Sequence, residues 1–237
     1  MDDRRILKKL IESVGGRFSV ALGIDLSLQN PEEIFKWFLA SVFFGARISE
    51  TIVIKTYKES EKEGILSPAG ILNTGWDGLV EILDRGGYVR YDFKTATKLL
   101  DLSTALMEKC GGDLNVLHLT ASGPRDLEGR LKVLAKGIGD VTVNIFLREM
   151  RGIWEKAEPF PSDLVIMAAK HMRIISARSK DRGKILAILK KKWTDEDMKM
   201  KDFSDFEAAL LRLGKDYCGK GFCDRCPMKC ECRGIKE

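Results

Sequence analysis

The stretch LKVLAKGIGDVTVNIFLREM, Leu131 to Met150, decides how the chain is read. Leu131 and Leu134 close one amphipathic segment, and Gly137-Ile138-Gly139 supplies a turn. Val143, Phe146, Leu147 and Met150 then follow at i, i+3, i+4 and i+7, the apolar face of a second helix. This is a helix-hairpin-helix pattern. Two glycines let the backbone come close to a ligand, and the free N–H groups opening the second helix present its positive dipole end, which suits a phosphate. Such an element grips a nucleic-acid backbone without reading bases. Lys136 adds a positive charge, whereas Asp140 opposes a phosphate unless it turns away or caps the second helix. An ordinary αα-hairpin with a glycine cap accounts for the same glycines equally well.

Outward from the hairpin the helical period continues. Ile6, Leu7, Leu10, Ile11 and Val14 share one helix face, as do Ala96, Leu99, Leu100, Leu106, Met107 and Cys110. Asn30-Pro31-Glu32-Glu33 places a cap residue, a first-turn proline and acids ahead of IFKWFLASVFF, a helix apolar enough to be buried nearly all round. Ser67-Pro68 and Thr194-Asp195-Glu196-Asp197 read as further helix starts, and glycine pairs at Gly15-Gly16, Gly86-Gly87 and Gly111-Gly112 as breaks. Strand-like alternation is confined to Phe18 to Ile24. The expectation is an all-α protein of about ten helices with short connections. No internal repeat or low-complexity linker marks a boundary.

The 237 residues are 44% hydrophobic and 32% charged, which excludes disorder as the main state. No apolar run approaches the ~18–20 residues of a membrane-spanning helix. The opening MDDRRILKKLIESVGG is charged where a secretory signal is apolar, so a cytoplasmic or nucleoid-associated protein without membrane contact is expected. The net charge of +5 permits a polyanion partner without requiring one. Its placement is more informative. Four of the five excess charges fall between Lys180 and Glu237, where 15 Lys and Arg face 11 Asp and Glu. Five of the six cysteines also lie there, at Cys218, Cys223, Cys226, Cys230 and Cys232, with Cys110 apart. In a cytosolic chain such a cluster points to metal or cluster ligation rather than to disulfides. Four thiolates can hold Zn²⁺ or an iron-sulfur cluster.

Gly137-Ile138-Gly139 with Thr142 resembles the hairpin of the helix-hairpin-helix DNA glycosylases of the endonuclease III superfamily, which reads L-P-G-(V/I)-G and then T-A. Here Ala135-Lys136 replaces the first pair and Val143 the final alanine. Members that also cleave the DNA backbone carry a Schiff-base lysine just before the threonine. This chain has Val141 there, so the resemblance implies a monofunctional enzyme. The family's catalytic aspartate opens the helix after the hairpin, and Pro161-Ser162-Asp163-Leu164 is similar to the Pro-Asp-Asp of alkylated-base glycosylases. Asp163 is thus the implied catalytic residue. Its fixed negative charge would stabilise oxocarbenium character on the sugar and orient or deprotonate water. Read by itself, Ser162 or Asp163 would simply cap the helix running to Ile175.

Relatives carry C-x6-C-x2-C-x5-C around a 4Fe-4S cluster. Cys223, Cys226 and Cys232 keep those spacings, Cys218 stands closer to Cys223 than the family's first ligand does, and Cys230 is an alternative fourth ligand. The resemblance implies a 4Fe-4S cluster, with Zn²⁺ as the alternative, and a tail presenting Lys220, Arg225, Lys229 and Arg233 to DNA. It also implies two helical lobes, 26–150 with the hairpin and 1–25 plus 151–237 ending in the 218–232 cysteine segment. Double-stranded DNA with a damaged or mismatched base would lie in the cleft between them, the target nucleotide flipped out by a monomeric enzyme. The DNA contacts would be Lys136, Gly137, Gly139, Val141 and Thr142, with Arg47 as a wedge filling the gap. A cation matched to the preceding helix dipole explains Arg47 as well.

Two other readings stay open: a non-catalytic DNA- or lesion-binding protein, and a bifunctional glycosylase/lyase using another lysine. The basic run from Lys170 through Arg173, Arg178, Lys180, Arg182 and Lys184 to Lys190-Lys191-Lys192, with Asp181 as its opposing acid, suits a DNA-backbone surface or a solvated helix face. His118 and His171 read as packing or surface residues. The Gly86-Gly87-Tyr88 and Lys94-Ala96 neighbourhood is similar to a family turn and reads as packing.

Overall fold

A computed structural model describes residues 3–196 and 202–232. They form helices α1 (Asp3–Val14), α2 (Phe18–Ala21), α3 (Pro31–Phe44), α4 (Glu50–Lys62), α5 (Pro68–Gly86) and α6 (Asp92–Cys110). After these come α7 (Leu114–Thr120), α8 (Pro124–Lys132), α9 (Asp140–Glu149), α10 (Asp163–His171), α11 (Arg182–Asp195) and α12 (Phe203–Asp216). Two 3-10 turns, Cys218–Lys220 and Cys223–Arg225, follow. The protein is all-α, with no strand among the described residues. No helix among them is long and apolar enough to cross a membrane.

The chain divides into two compact units, residues 22–159 and residues 1–21 with 160–237. In the 22–159 unit the organising element is α3. Asn30 Oδ1 accepts from Glu32 N at 2.8 Å and Pro31 takes the first helical position, so the start is capped as its residues dictate. From Ile34 to Phe43 every residue except Lys36 is buried, because this helix threads the core rather than covering it. Trp37 Nε1 donates to the Phe146 carbonyl at 3.1 Å, and Phe38 meets the Phe146 ring edge-on at 4.9 Å. Phe146 packs against Trp154 in turn, at 5.4 Å. These contacts fix α9, and with it the glycine turn before it. Tyr88 closes the other end of α3 by donating to the Phe43 carbonyl at 3.2 Å. Gly86 is small for a packing reason, since a Cβ there would fall 2.6 Å from the Thr56 backbone.

In the other unit α12 is central, with Phe206, Ala208, Ala209 and Leu210 fully buried. Trp193 stacks on Phe206 at 5.5 Å, and Ile6, Leu7, Leu10 and Ile11 present the buried face of α1. Gly214 lets α12 close on α10, because a Cβ there would strike the Leu164 carbonyl. Arg17 ties the 1–21 segment to the start of α12 by donating to both Asp202 and Asp205, the latter at 2.9 Å.

Three local expectations are corrected. Phe18 to Ile24 is not a strand: Phe18–Ala21 is a helical turn, and Gly23 at φ +75° reverses the chain, so the alternation records burial of Phe18, Ile24 and Leu26 around a bend. Thr194 and Asp195 end α11 instead of starting a helix, because Lys191 pairs with Asp195 one turn on at 2.8 Å; Asp197 lies outside the described residues. The helix expected to reach Ile175 stops at His171, where Met172 caps it and Arg173 turns left-handed at φ +54°.

Candidate functional site

The glycine turn sits between α8 and α9 and is built from the core outward. Leu127 and Leu131 of α8 and Val143, Phe146 and Leu147 of α9 are buried, and Ile138 is buried between its two glycines. Gly137 is left-handed at φ +92°, a conformation glycine adopts at no steric cost. Gly139 stands at the N-cap of α9 with no side chain to satisfy the first amides, so these N–H groups lack intrahelical acceptors. Lys136, Gly137, Gly139 and Val141 are exposed around them. Thr142 is different. It is 5% exposed, and its hydroxyl lies where a Cβ on Gly45 would stand. Its side chain therefore packs the hairpin against the end of α3. The same contact brings the exposed Arg47, two residues beyond Gly45, to the hairpin side of this unit.

Two lysines that the sequence left unremarked complete the turn. Lys132, at the end of α8, pairs with Asp140, at the start of α9. That partner answers the carboxylate that seemed to oppose a phosphate. Lys98 of α6 lies beneath the turn, where a Cβ on Gly137 would be 3.0 Å from its Cε and 3.5 Å from its Nζ. Burial lowers the Lys98 pKa. The hairpin folds α8 back on α9, so Lys132 was in principle findable; nothing local points to Lys98.

Asp163 is the first residue of α10. Ser162 caps that helix, its hydroxyl accepting from Val165 N at 3.4 Å, so the aspartate carboxylate is not spent on capping. The side chain is 85% exposed, and its Oδ1 accepts from Arg182 Nη2 at 2.6 Å. Arg182 Nη1 also donates to the Pro161 carbonyl at 2.8 Å.

Cys218, Cys223, Cys226 and Cys232 line a single cavity of about 870 Å³, shared with Lys170, Arg173 and Lys229. Cys230 is exposed and is not part of that lining. The 3-10 turns bring the thiols round, with Cys226 N donating to the Cys223 carbonyl at 3.2 Å. Met228, fully buried, anchors the loop, and its carbonyl accepts from Cys232 N at 2.7 Å. Lys9 secures the segment to α1 through Glu231 at 2.6 Å. Burial first, then the neighbouring thiols of Cys226, Cys232 and Cys223, push the Cys218 thiol up to about 11. A cation binding to thiols gathered in this way would displace their protons into water. Among the described residues, no group of three or more His, Cys, Asp or Glu side chains is arranged to hold a metal ion as it stands.

The basic run is not one continuous face. Lys170 and Arg173 belong to the cysteine cavity, Arg182 to Asp163, and Lys191 and Lys192 to ion pairs with Asp195, Asp3 and Glu196. Lys220 and Arg225 flank the exposed Phe222 ring at 6.0 and 5.5 Å; Arg233 lies outside the described residues. His118 stacks on Trp154 at 5.0 Å and is a packing residue, and the His171 carbonyl faces the Cys232 thiol at 3.7 Å. No known protein-family model matches this chain, and no curated protein matches it significantly.

Proposed function

We propose that the protein is a monofunctional DNA glycosylase of base-excision repair, acting on double-stranded DNA that carries a damaged or mismatched base. The observation that carries the reading is the state of Asp163: a carboxylate at the head of a helix, exposed, with the capping already done by Ser162. In this reading the first amides of α9 take a backbone phosphate, with Lys136 and Lys98 adding positive charge. Gly137, Gly139 and Val141 let the phosphate approach, and Arg47 fills the gap left by the flipped nucleotide. As the bond from sugar to base breaks, its electron pair leaves with the base. The Asp163 carboxylate stabilises the positive charge left on the sugar and orients the water that adds to it, and the proton this water sheds balances the charge on the departing base.

Cys218, Cys223, Cys226 and Cys232 would hold a 4Fe-4S cluster. The donor set fits, because soft thiolates select iron-sulfur clusters or zinc. The resemblance to the cluster-bearing glycosylases favours the cluster over a single Zn²⁺, which four thiolates would hold equally well by donor type. The cluster would fold the tail and present Lys220, Arg225 and Lys229 to DNA.

Duplexes carrying uracil, mismatched thymine, oxidised or alkylated bases test the reading. Base release followed by strand cleavage only in alkali is expected, and Asp163→Asn should slow it by about 10²–10⁴-fold. Full activity in that variant would remove Asp163 from the chemistry. One observation favours a second reading, a bifunctional glycosylase/lyase: desolvation of Lys98 beside the turn favours the neutral, nucleophilic amine. Borohydride trapping of a covalent adduct, lost in Lys98→Ala, would establish it. Lesion binding without base release would leave the non-catalytic reading.

A further inference from the structure

A carboxylate that must sit against a reacting sugar needs a fixed position, and Asp163 does not obtain one from its own helix. It stands at the first helical position with its side chain 85% exposed, so no packing selects among its staggered rotamers. Ser162 occupies the capping role that would otherwise have tethered it. What holds Asp163 comes from α11. Arg182 donates from Nη2 to Asp163 Oδ1 at 2.6 Å and from Nη1 to the Pro161 carbonyl at 2.8 Å, so one planar group bridges a side chain and a backbone acceptor. Both ends of that bridge are themselves fixed. Pro161 is buried with its φ set by the ring, and the start of α11 is capped by Asp181, whose Oδ1 accepts from Lys184 N at 2.8 Å. At Gly183 a Cβ would stand 3.6 Å from the Phe160 ring, so the first turn of α11 lies close to the segment leading into α10.

As a source of stability this pair counts for little, because the two side chains are 44% and 85% exposed and water screens them. Its value is geometric. Asp163 Oδ2 has no hydrogen-bond partner among the described residues, so holding Oδ1 leaves the second oxygen available. We infer that Arg182 is a positioning residue for Asp163, anchored on the Pro161 carbonyl and presenting Oδ2 to the sugar and the attacking water. The inference rests on the glycosylase reading above. A lysine could not reproduce it fully, since an ammonium is a point charge without the guanidinium's planar fork.

Single-turnover base release from the lesion panel, with enzyme saturating, tests this in Arg182→Gln, Arg182→Lys, Asp163→Asn and the Asp163→Asn/Arg182→Gln double variant. Misplacing a reacting group by about 1 Å costs on the order of 10²-fold, so Arg182→Gln should slow base release by roughly 10–100-fold. The duplex Kd should change no more than loss of one surface cation requires. Arg182→Lys should recover part of the rate, and adding Arg182→Gln to Asp163→Asn should change the residual rate no further. An unimpaired Arg182→Gln, a loss confined to Kd, or an equal fold-loss in the Asp163→Asn background would overturn the inference alone. Wild-type base release by Asp163→Asn would overturn the underlying choice of carboxylate and the inference with it.

Discussion

In the 22–159 unit, Phe146 meets Phe38 and Trp154 ring against ring while its carbonyl takes the Trp37 indole proton. In the 218–232 segment, Met228 is fully buried and Phe222 is 45% exposed, and the local backbone bonds close two 3-10 turns and a turn over 226–232. The first region removes enough apolar surface from water to hold its shape. The second has Met228 as its one fully buried apolar side chain among the described residues, yet it sets four thiols around one cavity. On the proposal that these thiols hold a metal centre, the segment would draw its stability from what they bind. The two regions should accordingly fail under different treatments.

The largest effect is expected at the cysteines. Binding free energy at structural thiolate sites is on the order of 10 kcal/mol, so with the proposed cluster in place Cys226→Ser should abolish iron and sulfide binding and open the tail to proteolysis. Cys230→Ser should retain the full metal content, because Cys230 does not line the cavity. Metal and sulfide analysis of both proteins decides between the two behaviours, and equal loss in both would merge Cys230 into the site. A zinc content without iron or sulfide after anaerobic purification would favour the mononuclear alternative.

Next in size is the core. Phe146→Ala should destabilise the 22–159 unit by about 3–5 kcal/mol in denaturant titrations while leaving the metal content intact. If that variant lost metal in proportion to its stability, the two regions would be energetically coupled rather than separately held.

The smallest effect is a pH dependence at His118. Burial first, and the Lys156 charge second, lower its pKa from the ordinary 6.5. Its neutral ring stacks on Trp154, and Nε2 accepts from Lys156 N at 3.4 Å. The unfolded chain therefore binds the proton more readily than the folded one as pH falls below about 6.5. Stability should be undiminished above that value and decline below it, towards the lowered folded pKa. His118→Gln should flatten this slope in midpoints measured on either side of 6.5.

The all-α class and the buried helix α3 were legible because period, cap and first-turn proline all act within a few residues. Ser162 and Asp163 were legible as a pair, but their division of labour was not, since either side chain could have capped α10. Phe18 to Ile24 misled because a bend that buries Phe18, Ile24 and Leu26 produces the same alternation as a strand. Thr194-Asp195 misled because cap residues at a helix start and ion-pairing residues at a helix end share a composition. Arg182 and Lys98 were invisible as partners of Asp163 and Gly137, because those contacts arise only once distant helices are packed. The four-cysteine cavity was partly legible: spacing left Cys230 as a competitor, and three-dimensional placement sets it outside the lining.

That outlying thiol has a practical consequence. With its four neighbours engaged by the proposed inorganic centre, and the half-buried Cys110 thiol held protonated by a pKa that burial raises, Cys230 would become the group a maleimide dye reaches first. A fluorophore there would sit a few bonds from a ligand, where absorption by the centre quenches emission. Recovery of the signal would then report, in real time and on the unmutated chain, the moment the centre is lost.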